Sequence, residues 1–147
     1  MKRDYDTALQ HIKGVVEGEK DKIANLSNIA AILKELDGFF WVGFYFVKDD
    51  ELVLGPFQGP VACTRIAHGK GVCGTAWKEN KSQLVADVHA FEGHIACNPN
   101  SRSEVVIPIS IHGKVGMVLD VDSDRENDFT EIDIQKLEEV ATIVSGL

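Results

Sequence analysis

Three cysteines, at positions 63, 73 and 97, are the most reactive side chains in this 147-residue sequence. Cys97 stands in FEGHIACNPNSRSE, residues 91–104, a polar stretch that also holds a glycine, a histidine, a proline and a glutamate. Nine residues separate Cys63 from Cys73 and twenty-three separate Cys73 from Cys97, so there is no Cys-x-x-Cys pair. Three chemistries are open to such a set. A structural zinc ion held by these thiolates with His89 or His94 would lack the tight knuckle spacing usual for that metal. Inert packing as a small hydrophobe suits Cys73 within GKGVCGTAW, but Cys63 follows GPFQGPVA and Cys97 lies in a polar loop, both outside any apolar stripe. Reaction requires a thiolate, and an ordinary thiol with a pKa of about 8.5 is mostly protonated at neutral pH.

The acids Glu104, Asp120 and Asp122 bear on that choice. If they surround the thiol they oppose its ionisation, and compensation must come from loop amides over residues 97–104, from Arg102 or from His94. Crowded carboxylates also raise one another's pKa, and a protonated carboxyl is a general acid. A thiolate beside a neutral acid suits sulfoxide reduction, in which the sulfur is attacked while its oxygen is protonated for departure. The plainer reading is that aspartates at a strand end are solvated edge residues. Residues 120–139 hold nine acids against two bases, the composition of a wet helix face.

These residues must be positioned by regular elements. Residues 20–36 set Ile23, Leu26, Ile29, Ala30, Leu33 and Leu36 at three- and four-residue intervals, one stripe of an amphipathic helix. GFFWVGFYFVKDDELVLGPF reads as two strands joined by a hairpin at Lys48-Asp49-Asp50-Glu51. A short helix over residues 71–80 and a short strand in SQLVADV follow, then an irregular stretch over residues 87–103 of a length that is usually functional or disordered. SEVVIPISIHGKVGMVLDVDS is a second hairpin around His112-Gly113, and Thr130 with Asp133 forms a weak capping box. The final helix buries Ile132, Leu137, Val140, Ala141 and Val144. The expected architecture is α+β, an antiparallel sheet with the N- and C-terminal helices on one face and a loop-lined pocket on the other.

Strand periodicity divides the faces. Val115, Met117, Leu119 and Val121 belong under the helices, as do Phe40, Val42, Phe44 and Phe46. Trp41, Gly43 and Tyr45 then share the opposite face with Asp120 and Asp122, ingredients of a pocket for a small polar ligand with an apolar part. A strict two-residue turn at His112-Gly113 would pair Glu104 with Val121 and send it to the helix side. A three-residue loop, or a bulge near Pro108 or Gly116, shifts the register by one and is expected to bring Glu104 opposite Asp120.

A hydrophobic content of 44% is enough for one core, so one domain over residues 1–147 is expected. The net charge of −8 argues against nucleic acid or an anionic membrane as partner. The start MKRDYDTALQ has no signal-peptide pattern and no apolar run is long enough to span a bilayer, which predicts a cytoplasmic protein.

Four segments together carry a resemblance: WVGFYF at 41–46, LGPFQGPVACTRIAHGKGVCGTAW at 54–77, DVHAFEGHIACNPNSRSEVVIPI at 87–109 and GMVLDVDS at 116–123. Over residues ~20–147 the sequence resembles the free methionine-(R)-sulfoxide reductases, GAF proteins. The resemblance implies reduction of the free amino acid, thioredoxin as reductant, a redox-active disulfide, a role in oxidative stress, and neither metal nor organic cofactor. It implies that Cys97 attacks the sulfoxide sulfur and becomes a sulfenic acid, that Cys63 condenses with it, and that Cys73 serves as a secondary partner. Glu104, Asp120 and Asp122 would bind the substrate ammonium, one of them donating a proton, and Trp41 and Tyr45 would supply the aromatic wall, with Trp41 against the methyl group. Ala67-His68, Glu92 and Asn98 depart from the family pattern without removing a functional group. The other expectations are a non-catalytic GAF sensor, which has no need of both Cys63 and Cys97, and a small zinc-stabilised domain. A homodimer through the N-terminal helix is expected by analogy with other GAF proteins.

Overall fold

The computed structural model describes residues 3–94 and 97–147. Helices α1 (Tyr5–Val16) and α2 (Lys22–Lys34) precede strands β1 (Trp41–Lys48), β2 (Glu51–Gln58) and β3 (Arg65–Ala67). Helix α3 (Gly71–Glu79), strand β4 (Gln83–Val85), a 3-10 turn (Val88–Ala90), strands β5 (Ser103–Ile111) and β6 (Lys114–Ser123) and helix α4 (Glu131–Ser145) complete the order. The strands form one antiparallel sheet in the order β3-β2-β1-β6-β5-β4, so the long central pair β1 and β6 is flanked by β2 and β5. No helix among the described residues is long and apolar enough to cross a membrane.

The two faces carry separate apolar clusters. On one, Val42, Phe44, Ile107, Leu119 and Val121 pack beneath Leu26, Ile29 and Leu33 of α2 and Leu137, Val140 and Val144 of α4, with α1 adding Leu9 and Ile12. On the other, Trp41, Tyr45, Val106 and Val118 pack against Val72, Cys73 and Ala76 of α3. This is the expected α+β sandwich with one refinement: α1 is a separate helix, started by the Asp4 side chain accepting from the Thr7 amide. The capping box at the start of α4 is complete, with Thr130 and Asp133 each accepting from the other's end of the first turn.

Four apolar positions differ from the periodic reading. Ile23 and Ile132 are 53% and 52% exposed, because each lies in the first turn of its helix, outside the sheet's footprint; Ile134 takes the place of Ile132 in the core. Phe40 precedes β1 and packs with the α3-side cluster, and so does Val115.

Val115 changes side because of a bulge. The second hairpin is a two-residue turn, Ile111 paired with Lys114, with His112 and Gly113 both at positive φ as such a turn requires. Beyond it Ser110 pairs with Val115 but Ile109 with Met117, so Gly116 has no partner. A Cβ at Gly116 would sit 2.7 Å from Cβ of Ile111, which is why the extra residue is a glycine. The extra residue reverses the alternation of everything before it relative to everything after. The expected bulge at Gly116 is present, but it moves the register the other way: Glu104 lies opposite Asp122, not Asp120.

Candidate functional site

That register aligns one row of side chains across three strands. Trp41 of β1 is opposite Asp122 of β6, which is opposite Glu104 of β5; in the next row Gly43 is opposite Asp120. Directly paired residues point to the same face, so Trp41, Asp122, Glu104 and Asp120 converge under α3. Gly43 leaves room for this. A Cβ there would overlap the side chain of Phe57 and lie 2.7 Å from Cη2 of Trp41, whose indole stacks on Phe57 at 5.2 Å and on Tyr45 at 6.0 Å.

The aromatics also hold the loop between β2 and β3. Trp41 Nε1 donates to the Pro60 carbonyl at 3.0 Å and Tyr45 Oη donates to the Cys63 carbonyl at 2.8 Å. These bonds fix Cys63 above the sheet, where it forms a disulfide with Cys97 across 34 residues of sequence, Cα to Cα 5.3 Å. Cys73, on the first turn of α3, is a buried free thiol. The three cysteines therefore divide into a bonded pair and a solitary thiol, which leaves no three-cysteine zinc site. Among the described residues the set best placed for a cation is Cys73, Glu104 and Asp120, with one atom of each within 4.8 Å of the others; neither His89 nor His94 belongs to it.

Beneath the disulfide is a cavity of about 50 Å³ bordered by Trp41, Tyr45, Cys97, Glu104, Asp120 and Asp122. Such a volume holds a few water molecules and is far below that of a ligand pocket.

The electrostatics of the floor follow from burial without a counter-charge. Burial and the neighbouring Asp120 and Asp122 push the Glu104 carboxyl well above the ordinary carboxylate range. Burial, with Asp120 adjacent, raises Asp122 in the same way. Asp120 is raised by burial too, but hydrogen bonds from Glu104, Cys73 and Asp122 pull it back. The result is a graded cluster: burial and both aspartates favour the protonated form of Glu104, and Asp120 is the natural seat of negative charge. Burial and Asp120 likewise hold the Cys73 thiol well above its ordinary pKa. One oxygen of Asp120 and one of Asp122, Oδ1 in each case, are buried without a hydrogen-bond partner. Two unanswered acceptors in a polar cup accommodate the N–H groups of a cation.

This arrangement is specific enough to compare with known proteins. A GAF domain family model matches residues 25–146. The Escherichia coli free methionine-R-sulfoxide reductase is 47% identical over 137 residues, covering 92% of this chain and 83% of that one. The chain belongs to the free methionine-R-sulfoxide reductase family of GAF proteins. A Dictyostelium discoideum GAF domain-containing protein is 52% identical over 143 residues, covering 97% of this chain and 90% of its own. The structure of a Neisseria meningitidis free methionine-R-sulfoxide reductase in complex with its substrate superposes with a TM-score of 0.94 at 51% identity, covering 97% of this chain and 86% of that one.

Measured against the sequence reading, the family member brings Cys63, Cys97, Trp41, Tyr45, Glu104, Asp120 and Asp122 to one place. Cys73 lies at the floor of that place as well as in the core, so packing and site are not exclusive readings for it. His94 borders the cavity, its pKa lowered by burial and by His89, whose ring is 6.2 Å away. Arg102 turns away to an exposed pair with Glu126. Of the departures, His68 packs edge-on against Trp77 at 4.4 Å, Glu92 is exposed and Asn98 borders the cavity. Sequence reasoning missed Ser101 and the Lys70-Gly71-Val72 start of α3, which also border it. The Gly-rich run GKGVCG before a helical segment was the available signal. No side chain caps α3; the Lys70 amide donates to the Ala67 carbonyl and the Gly74 amide to the Lys70 carbonyl, while the Gly71, Val72 and Cys73 amides make no hydrogen bond among the described residues.

Proposed function

We propose that this protein reduces free methionine (R)-sulfoxide to methionine through a thiol-disulfide cycle. The observation that carries the proposal is the Cys63–Cys97 disulfide above a buried trio of carboxyls. In the reduced state the Cys97 thiolate attacks the sulfoxide sulfur while the oxygen takes a proton, which yields methionine and a Cys97 sulfenic acid. The Cys63 thiol then attacks the Cys97 sulfur and expels the oxygen as water, giving the disulfide seen here. Two thiols and one sulfoxide become one disulfide, one thioether and water, so the electrons balance. Thioredoxin returns the pair to thiols.

Glu104 is the proton donor, since burial, Asp120 and Asp122 all act to keep its carboxyl protonated. The free Oδ1 atoms of Asp120 and Asp122 take the substrate ammonium. The start of α3, with its open amides and Lys70, takes the carboxylate. A methionine inside a polypeptide has neither charge, which accounts for selection of the free amino acid. The wall of Trp41 and Tyr45 receives the methyl and methylene groups. A non-catalytic sensor would leave the cysteine pair without a task.

Turnover of the separate sulfoxide epimers, with dithiothreitol or thioredoxin as reductant, tests the proposal in the wild type and in Cys97→Ser. Loss of (R)-epimer reduction in the variant is expected, and undiminished turnover would reject Cys97 as nucleophile.

A further inference from the structure

Cys73 has no task in the two-thiol cycle proposed above, yet it is buried against the acids of the cup. Cys73, Glu104 and Asp120 are 3%, 7% and 5% exposed, and one ligand atom of each lies within 4.8 Å of the other two. They come from α3, β5 and β6, so the triangle is made by the packing of a helix on two strands. Donor atoms around a tetrahedral zinc ion stand about 3.5 Å apart, and side-chain shifts of roughly 1 Å bring these three onto one ion.

Independently of that clustering, Oδ1 of Asp120 is buried without a hydrogen-bond partner, and Asp120 borders the cavity of about 50 Å³. Oδ1 of Asp122, on the same cavity, is buried and unpartnered too. Buried acceptors of this kind call for a donor or a cation. Lys70 is the one lysine or arginine among the described residues of the lining, and it is exposed. A space that holds a few waters takes one metal ion with a water of its own.

From this geometry we infer that Cys73, Glu104 and Asp120 form a site for one thiophilic divalent cation, zinc or its analogues, and that the bound ion excludes the sulfoxide. One thiolate and two carboxylates supply three ligands, water is the fourth, and Asp122 Oδ1 accepts a hydrogen bond from that water. The sulfur ligand selects zinc, cobalt or cadmium over magnesium and calcium, which prefer all-oxygen sets. Binding replaces the protons of the ligands by the ion and changes no oxidation state. The exclusion rests on the assignment of Glu104 and Asp120 to the substrate made above; the binding of the ion does not.

Cobalt(II) is the probe, and the oxidised protein is the form to use, because there Cys63 and Cys97 are bonded to each other and Cys73 is the one free thiol. A thiolate-to-cobalt charge-transfer band in the near ultraviolet, saturating at one ion per chain, is expected; zinc should abolish it and calcium in equal excess should not. Cys73→Ser should lose the band. Glu104→Gln and Asp120→Asn keep the thiol, and each should bind cobalt at least about tenfold more weakly, since loss of a mere supporting partner already costs about that much. Thermal melts of the metal-free variants check that they fold. For the exclusion, the double variant Cys63→Ser, Cys97→Ser cannot turn over and retains Cys73; free methionine sulfoxide should diminish its cobalt band competitively. Absence of the band, its survival in Cys73→Ser, or wild-type cobalt affinity in both carboxyl variants would overturn the site. A band unmoved by sulfoxide that calorimetry shows to be bound would overturn the exclusion. None of these readouts needs turnover, so their failure is separate from failure of the proposed activity, which would show as no sulfoxide reduction by the metal-free reduced protein.

Discussion

Replacing Glu104 by glutamine keeps the shape and a hydrogen-bond donor toward Asp120 and Asp122 while removing the transferable proton. Glu104 is 7% exposed and lies opposite Asp122, so the change acts inside a closed network and not at a solvated surface. Loss of a positioned general acid costs on the order of 10²- to 10⁴-fold in rate, or about 3 to 5 kcal/mol in the barrier. Stability should move the opposite way. A carboxyl whose folded pKa is raised binds its proton more tightly folded than unfolded. The protein is then most stable below the ordinary glutamate value of 4.5 and loses stability as the pH climbs from there toward the raised folded value. Glu104→Gln removes that penalty, so at neutral pH the melting temperature should rise, and the gain should vanish at acid pH. The assay is kcat and KM for free methionine (R)-sulfoxide across pH, alongside thermal melts at the same values. In the wild type kcat should decline as Glu104 ionises, and the variant should lose that limb. A variant with wild-type kcat, or one that loses stability at neutral pH, would refute the assignment.

Other outcomes follow from the same geometry. Cys63→Ser should release about one methionine per protein and then stall as the Cys97 sulfenic acid, which a rapid-quench burst and a dimedone adduct on Cys97 would record. Gly43→Ala forces its Cβ against Trp41 and Phe57, and with the indole displaced KM should rise by about tenfold with a smaller effect on kcat. N-acetylation of the substrate removes the ammonium assigned to Asp120 and Asp122; kcat/KM should drop by about 100-fold, and the penalty should shrink in Asp122→Asn.

Much of the architecture was legible because it rests on local rules. Alternation along WVGFYF separates Trp41 and Tyr45 from Val42 and Phe44 with no knowledge of the fold, and the structure keeps that division. Helix α1 was not read from the sequence, although Tyr5, Ala8, Leu9 and Ile12 form its buried stripe behind an Asp4 cap. Periodicity erred at element ends, at Ile23, Ile132 and Phe40, where a residue continues the pattern after the neighbouring surface has stopped. Lys70, Gly71 and Val72 border the cavity at the start of α3, and the GKGVCG run signals that only through its place before a helix, since meeting the cavity depends on how α3 packs on the sheet.

Residue types and spacing on their own determined the two hairpins, the helices, the aromatic face and the need for a register shift before Glu104 could join the aspartates. Only the tertiary structure decided where the shift falls. The single unpaired Gly116 sets Glu104 against Asp122 and turns three separated acids into one buried cluster. It also decided that Cys63 and not Cys73 meets Cys97, since the Trp41 and Tyr45 bonds carry the β2–β3 loop over the sheet while α3 holds Cys73 beneath it. The physical reason is common to both. Short-range periodicity is dictated by the backbone of each segment, but the meeting of distant groups depends on how several packed surfaces are satisfied together, and so do their proton affinities.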